Sequence, residues 1–94
     1  MEMAIITGLN TNDTFFYLSN NYCIKGTIMA DRGMLKEALE NFDKAIESNP
    51  ANHVAYFNRA TIKIDLGDLE GAKSDFENFD MLTKNIKTKV TGLL

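Results

Sequence analysis

Apolar side chains recur at steps of three and four residues through most of the chain, which is the spacing of one face of an α-helix. The first run opens after a polar segment, where Asp13 or Thr14 can cap a helix that begins at Phe15. Its apolar and small face comprises Phe15, Leu18, Ser19, Tyr22, Gly26 and Met29. The run ends at Asp31, shortly before Gly33, a residue suited to the left-handed conformation just past a helix end.

A second amphipathic run predicts a helix from about Leu35 to Ser48. Its apolar stripe comprises Leu35, Ala38, Leu39, Phe42, Ala45 and Ile46. Opposite charges four residues apart, such as Lys36 and Glu40, occupy the polar face. Pro50 stops this helix, because proline disfavours the helical conformation in the residue before it.

The pattern then restarts. A third helix is predicted from about Val54 to Leu66, and a fourth begins near Leu69 with Asp68 as its N-cap. No proline recurs at Lys84 to stop the fourth helix. Its apolar spacing instead continues through Leu69, Ala72, Phe76, Phe79, Thr83, Ile86 and Val90. The sequence therefore predicts one long final helix that reaches about residue 90.

The two halves of this pattern are copies of each other at an offset of 34 residues. The matched pairs are Tyr22 and Tyr56, Gly26 and Ala60, Ile28 and Ile62, Asp31 and Asp65, Gly33 and Gly67, Leu35 and Leu69, Ala38 and Ala72, and Phe42 and Phe76. Such a period indicates one supersecondary unit used twice, with each copy burying its apolar face on its neighbour. This organisation favours a stacked binding scaffold over an enzyme.

The first unit resembles the tetratricopeptide repeat at seven positions, namely Tyr22, Gly26, Gly33, Ala38, Phe42, Ala45 and Pro50. The resemblance implies an all-α fold, a right-handed stack of two helix-turn-helix units with an extended C-terminal helix. Repeat one then spans 19–52, repeat two 53–86, and a helical extension 87–94. Together they form one domain of residues 13–94 that follows a lead-in segment of residues 1–12. The second unit departs from the signature at Phe79, Asp80 and Lys84, as a terminal repeat does.

The resemblance also implies a concave peptide-binding groove on the first helix of each unit. The positions that match it are Asn20, Cys23, Thr27, Val54, Phe57, Asn58, Thr61 and Ile64. Some family members clamp a C-terminal carboxylate with Lys, Asn and Arg on these stripes, but Cys23 and Thr27 replace two of those residues here. The alternative is that Cys23, Phe57 and Ile64 are packed between helices or against the first residues of the chain.

Apolar residues of the last helix form a stripe that extends beyond repeat two, and this stripe suggests a second kind of contact. These residues are Phe79, Leu82, Ile86 and Val90. An exposed apolar stripe is a liability unless something covers it. The cover could be the N-terminal segment, another protein, or the same helix of a second copy in a two-fold homodimer. The sequence thus favours two functions, a protein-binding or peptide-binding adaptor and a self-associating structural module. It disfavours a third, a small helical enzyme or regulatory ligand-binding domain, because no constellation of titratable groups is visible.

Composition narrows the possible partners, the cellular compartment and the chemistry of the protein. The 94 residues carry a net charge of −3, which disfavours nucleic acid and anionic membranes as partners. A single cysteine, no signal-peptide pattern and no long apolar stretch predict a cytoplasmic protein. Cys23 and His53 could be considered as a nucleophile and base, but we expect Cys23 in the middle of the first helix and His53 in a surface turn at the start of the third. No spacing of a zinc site, calcium loop or phosphate loop occurs, so we expect no metal, no cofactor and no catalysis.

Overall fold

The described part of the chain consists of two helix pairs. The computed structural model describes the backbone of residues 11–92 and the side chains of residues 13–84 and 86. Its helices are α1 (Thr11–Asp31), α2 (Leu35–Ser48), α3 (His53–Asp65) and α4 (Leu69–Gly92). Helix α1 pairs with α2, α3 pairs with α4, and α3 also packs on α2 and α1. Residues 11–92 contain no β-strand, so the predicted all-α stack of two units is confirmed.

The start of α1 differs from the prediction. The helix begins at Thr11 and not at Phe15, so Asp13 lies in its first turn, where a carboxylate interacts favourably with the helix dipole. The added turn borders the α2–α3 connection, because its Asp13 lines a surface cavity together with Asn49 and Pro50. Of the predicted lead-in, residues 1–10 lie outside the described residues, as do the side chains of the predicted extension 87–94.

The two turns within the helix pairs have the same hydrogen-bonded geometry. Gly33 and Gly67 have φ angles of +78° and +86°, in the left-handed region that glycine tolerates best. The Gly33 N–H donates to the Ala30 carbonyl at 2.9 Å, and the Met34 N–H donates to the Met29 carbonyl at 2.9 Å. Gly67 and the residue after it repeat both bonds. This pair of bonds is the Schellman motif, and it confirms the predicted role of both glycines.

The core lies where α1, α2 and α3 meet, and it depends on a close approach at Gly26. The Phe42 ring is only 1% exposed, and a Cβ atom added to Gly26 would lie 2.7 Å from the Phe42 Cε1 atom. The Phe42 ring is thus the side chain that faces Gly26. Ala38, Ala45 and Ala55 are fully buried around it. Small side chains thus bring three helices close enough to enclose one aromatic ring.

A buried polar network fixes how α3 sits on the first pair. Asn52 is the N-cap of α3, and its side-chain oxygen accepts the Ala55 N–H at 3.2 Å. The same amide donates through Nδ2 to the Ser19 hydroxyl at 2.8 Å, and that hydroxyl donates to the Ala45 carbonyl at 2.6 Å. Leaving a buried polar group unpaired costs about 1–3 kcal/mol. A shift of α3 that separates Asn52 from Ser19 would therefore cost free energy.

Charged side chains make a second link, about two turns further along α3. Arg59 donates from Nε and Nη2 to the two carboxylate oxygens of Asp75 at 2.9 and 2.7 Å, and from Nη1 to Asp43 at 2.9 Å. Lys63 lies 3.2 Å from the Asp75 carboxylate, which is buried. The hydrogen bond to Asp75 raises the pKa of the Arg59 guanidinium above its ordinary value. One arginine of α3 thereby links α2 to α4.

We expect Gly26→Ala to destabilise the fold although alanine is the better helix former. The helix-propensity gain is about 1 kcal/mol, whereas overpacking a core costs about 1–3 kcal/mol. The expected net loss, measured by urea denaturation, is about 1 kcal/mol, because the enclosed Phe42 ring cannot move aside. In a Phe42→Leu background the same substitution should be neutral or stabilising. An equal loss in both backgrounds would contradict the close contact.

Ser19→Ala should remove both bonds of the Ser19 hydroxyl and lower the free energy of unfolding by about 1–3 kcal/mol. Ser48→Ala is the matched control, because the Ser48 hydroxyl donates to Lys44 of its own helix near the surface. We expect the control to stay within about 0.5 kcal/mol of the wild type. Similar losses for the two variants would show that the buried network does not set the stability.

Candidate functional site

The predicted groove residues lie on α1 and α3, which are in contact. The two stripes meet where the Asn58 amide nitrogen lies 4.0 Å from the Cys23 sulfur. Further along, Thr27, Asn58 and Thr61 line a shared cavity of about 160 Å³. The two threonines bond to their own helices, since Thr27 donates to the Cys23 carbonyl and Thr61 to the Asn58 carbonyl. This part of the predicted surface is small and polar.

Cys23 belongs to the packed interior. Its side chain is 7% exposed and lies in the core with Phe42 and Ala55. Burial raises the pKa of the Cys23 thiol, and the contact with the Asn58 amide offsets part of that increase. At this position the structure favours the packing alternative. Asn20, one turn earlier, is half-buried beside the Asn52 amide, whose Nδ2 lies 3.5 Å from the Asn20 side-chain oxygen.

The larger opening lies between α3 and α4, and we call it the α3–α4 pocket. Its volume is about 470 Å³, and its lining residues are His53, Val54, Phe57, Asn58, Phe79, Thr83 and Ile86. The Phe57 ring lies 5.1 Å from the Phe79 ring and 5.4 Å from the Phe76 ring, measured between centroids. Phe57 is nevertheless 42% exposed, and Val54 and Ile86 are also exposed. The pocket is therefore a solvent-facing apolar surface on an aromatic base.

This pocket joins residues that the sequence analysis assigned to two different sites. Val54, Phe57 and Asn58 were expected in the peptide groove, while Phe79 and Ile86 were expected in a self-association surface. The other expected residues lie elsewhere. Ile64 is exposed outside the pocket lining, Leu82 is half-buried outside it, and the side chain of Val90 is outside the described residues.

Sequence reasoning missed two lining residues, His53 and Thr83. His53 lies at the start of α3, as expected, but it is half-buried and not on the surface, with its ring 5.8 Å from the Phe79 ring. The offset of 34 residues between the repeats could have indicated that His53 lies close to Phe79. His53 is the counterpart of Ser19 and Phe79 that of Ala45, and those two residues are hydrogen-bonded in the first unit.

The groups that line the two cavities can make apolar contacts and hydrogen bonds. Among residues 13–84 and 86, no cluster of three His, Cys, Asp or Glu side chains is placed to hold a metal ion. None of the helices, as far as they are described, has both the length and the apolar character of a membrane span. The α3–α4 pocket has no Lys, Arg, Asp or Glu in its lining.

Comparison with known proteins identifies the family. Two models of the Tetratricopeptide repeat match the chain, one over residues 19–52 and the other over residues 41–74. The first match has the bounds predicted for repeat one. The chain belongs to the tetratricopeptide repeat family, as its sequence indicated, and its repeats are of a kind that generally mediates protein interaction.

Three relatives show how far this similarity extends. The chain is 42% identical over 55 residues to Tetratricopeptide repeat protein 36 of Danio rerio, covering 58% of this chain and 29% of that protein. It is 36% identical over 58 residues to DnaJ homolog subfamily C member 3 of Homo sapiens, covering 62% of this chain and 10% of that protein. It is 42% identical over 55 residues to an uncharacterised protein of Methanocaldococcus jannaschii, covering 58% of this chain and 64% of that protein. No solved structure gives a significant match.

The burial of Cys23 predicts slow labelling by a thiol reagent. Its side chain is 7% exposed and its pKa is raised, so both access and the thiolate fraction are low. At pH 7.5 we expect Ellman's reagent to modify the native protein at least about tenfold more slowly than the urea-unfolded protein. Free glutathione, measured in both solvents, corrects for the effect of urea. Equal corrected rates would place the thiol in an open groove instead.

Proposed function

We propose that this chain is a non-enzymatic binding module that holds a protein or peptide segment on α3 and the adjoining face of α1, the concave face of its first helices. The observation that carries the proposal is the exposure of Phe57 and Val54 in an apolar pocket of about 470 Å³. Apolar side chains gathered in a concave site with a few polar groups are the usual composition of a ligand pocket.

The lining of the pocket defines the chemistry of the partner. Without a charged carboxylate, ammonium or guanidinium group in the lining, it suits an apolar side chain of the partner. Asn58 lines both this pocket and the smaller cavity that Thr27 and Thr61 border. Its amide can donate to and accept from the backbone of an extended or helical segment. The partner we expect is thus a segment with one or two large apolar residues and a neighbouring free peptide group.

Composition agrees with this choice of partner. The net charge of −3 favours a protein segment over nucleic acid or an anionic membrane. A single cysteine, held as a free thiol, suits a reducing compartment, and we place the protein in the cytoplasm.

A displayed library of random peptides, selected on the immobilised protein, provides the test. The affinity of a selected peptide is then measured by isothermal titration calorimetry. Phe57→Ala should weaken binding by about tenfold or more, because burying a large apolar side chain contributes about 1.5–3 kcal/mol. Tyr17→Ala is the matched control, since Tyr17 is an exposed aromatic residue of α1 outside the pocket lining.

Two results would contradict the proposal. One is a selection that yields no peptide above background. The other is an equal loss of affinity for Phe57→Ala and Tyr17→Ala, which would mean that binding depends on general exposure of aromatic rings and not on the pocket.

A second candidate function is self-association through α4, as in a homodimer. It is favoured by the position of Ile86, which is exposed on α4 at the rim of the α3–α4 pocket. Phe79 at the base of the pocket extends the same apolar surface toward α3. A second copy would cover these residues without any further protein.

A further inference from the structure

The contact between the two repeats shows what kind of element fits on the face of a repeat. Helix α3 is the first helix of its unit, and it packs on both helices of the preceding unit. The offset of 34 residues makes α3 the counterpart of α1, and α4 the counterpart of α2. Each contact that α3 makes on the first unit therefore has a counterpart, in which α1 of another copy packs on α3 and α4.

At the centre of the interface, a contact between a sulfur and an amide within the chain corresponds to an apolar pair between copies. Within the chain, Cys23 of α1 meets Asn58 of α3. The counterpart of Cys23 is Phe57, and the counterpart of Asn58 is Ile24. Phe57 is 42% exposed and Ile24 is 58% exposed. Two exposed apolar side chains would thus cover each other in the place where the chain itself has a sulfur and an amide.

The contact at the start of the helix changes in the same way. Asn52 bonds to Ser19 and lies beside Asn20 in the chain. The counterpart of Asn52 in α1 is Leu18, which is exposed. The counterparts of Ser19 and Asn20 are His53 and Val54, which line the α3–α4 pocket. A polar network would be replaced by a leucine that enters an apolar pocket.

The charges are complementary at the corresponding position. Arg59 of α3 pairs with Asp43 of α2 at 2.9 Å. Their counterparts are Lys25 of α1 and Glu77 of α4, which are both exposed and opposite in charge. The contact between copies would thus also pair a positive with a negative side chain, although the contacts around this pair become apolar.

The lengths of the outer helices also agree. Helix α1 begins before repeat one, and its first turns lie beside Pro50 in the α2–α3 connection. Helix α4 passes Ile86, which lies beside His53 just after that connection. Both extensions are at the same end of the stack, so they would run alongside each other. Because Phe79 is larger than its counterpart Ala45, α1 of an incoming copy would have to lie farther from α4 near Leu18.

From these correspondences we infer that the α3–α4 pocket binds α1 of a second copy of this chain, and that copies stack head to tail. The head is α1 with Leu18, Ile24 and Lys25, and the tail is the pocket with Glu77. Such a contact is heterologous, since each copy uses one head and one tail. The inference rests on the self-association proposed for α4, but it replaces a two-fold dimer by an open stack.

Sedimentation equilibrium of paired variants tests this arrangement. The wild type should show an average mass that rises with concentration beyond that of a dimer. Ile24→Asp removes the head and Phe57→Asp removes the tail, and each variant alone should associate at least tenfold more weakly. Mixed in equal amounts, they keep one intact head and one intact tail, so they should form a 1:1 complex that grows no further.

A charge exchange at exposed residues tests the same contact independently, in case Phe57→Asp does not fold. Lys25→Glu and Glu77→Lys should each weaken association about threefold to fivefold, and the double variant should recover it. Circular dichroism verifies that every variant keeps its helices.

The alternatives give different results. Indifference to Ile24→Asp, with a mass that stops at two copies, would overturn the head-to-tail contact and leave a two-fold dimer. A wild type that stays monomeric at high micromolar concentration would overturn both forms of self-association. Peptide binding that depends on Phe57 would survive either result, so its failure is distinguishable from theirs.

Discussion

The packing of α3 on α1 and α2 is the contact on which the rest of the structure depends. It combines fully buried alanines, Ala45 and Ala55, with the hydrogen bonds that Asn52 makes to Ser19 and to its own helix. The alanines allow close approach but specify little, because they have no directional groups. The polar network supplies the direction, since the bonds among Asn52, Ser19 and the Ala45 carbonyl depend on the position and angle of α3. Helix α4 then follows α3 through the Arg59–Asp75 pair.

The same backbone position thus has opposite chemistry in the two repeats. In the first repeat, Ser19, Cys23 and Ala45 are buried beneath α3. In the second repeat their counterparts are His53, Phe57 and Phe79, which surround an open pocket. Small and polar residues suit a face covered by a helix joined through a short turn. Large aromatic residues instead fill part of that space and leave an apolar surface that faces solvent.

Much of the fold could be predicted from the sequence, because its determinants are local. The bounds of α2 follow from the spacing of its apolar stripe and from Pro50, and the glycine turns follow from the left-handed conformation that Gly33 and Gly67 adopt. The start of α1 was placed too late, because the contact that supports its first turn is with the distant Pro50 region. No periodicity within α1 encodes that contact.

The candidate site was less accessible to sequence reasoning. The stripes on α1 and α3 were placed on the right helices, but spacing alone could not separate the buried Cys23 from the exposed Phe57. Side-chain size at the counterpart positions decides this difference. The pocket itself forms because α4 continues past Thr83 and brings Ile86 beside His53, and this proximity joins residues far apart in the chain.

The connection from Asn49 to Asn52 has a consequence for how such a chain can change in length. The Ala51 N–H donates to the Asn49 side chain, and the Asn52 N–H donates to the Asn49 carbonyl, so the turn is closed by its own bonds. One residue inserted between Asn52 and Ala55 would turn α3 by about 100° relative to Asn52. The Asn52 side chain could then not bond to Ser19 and to the Ala55 N–H at the same time. A change in length by a whole repeat avoids this conflict, because it adds a complete connection with its own cap.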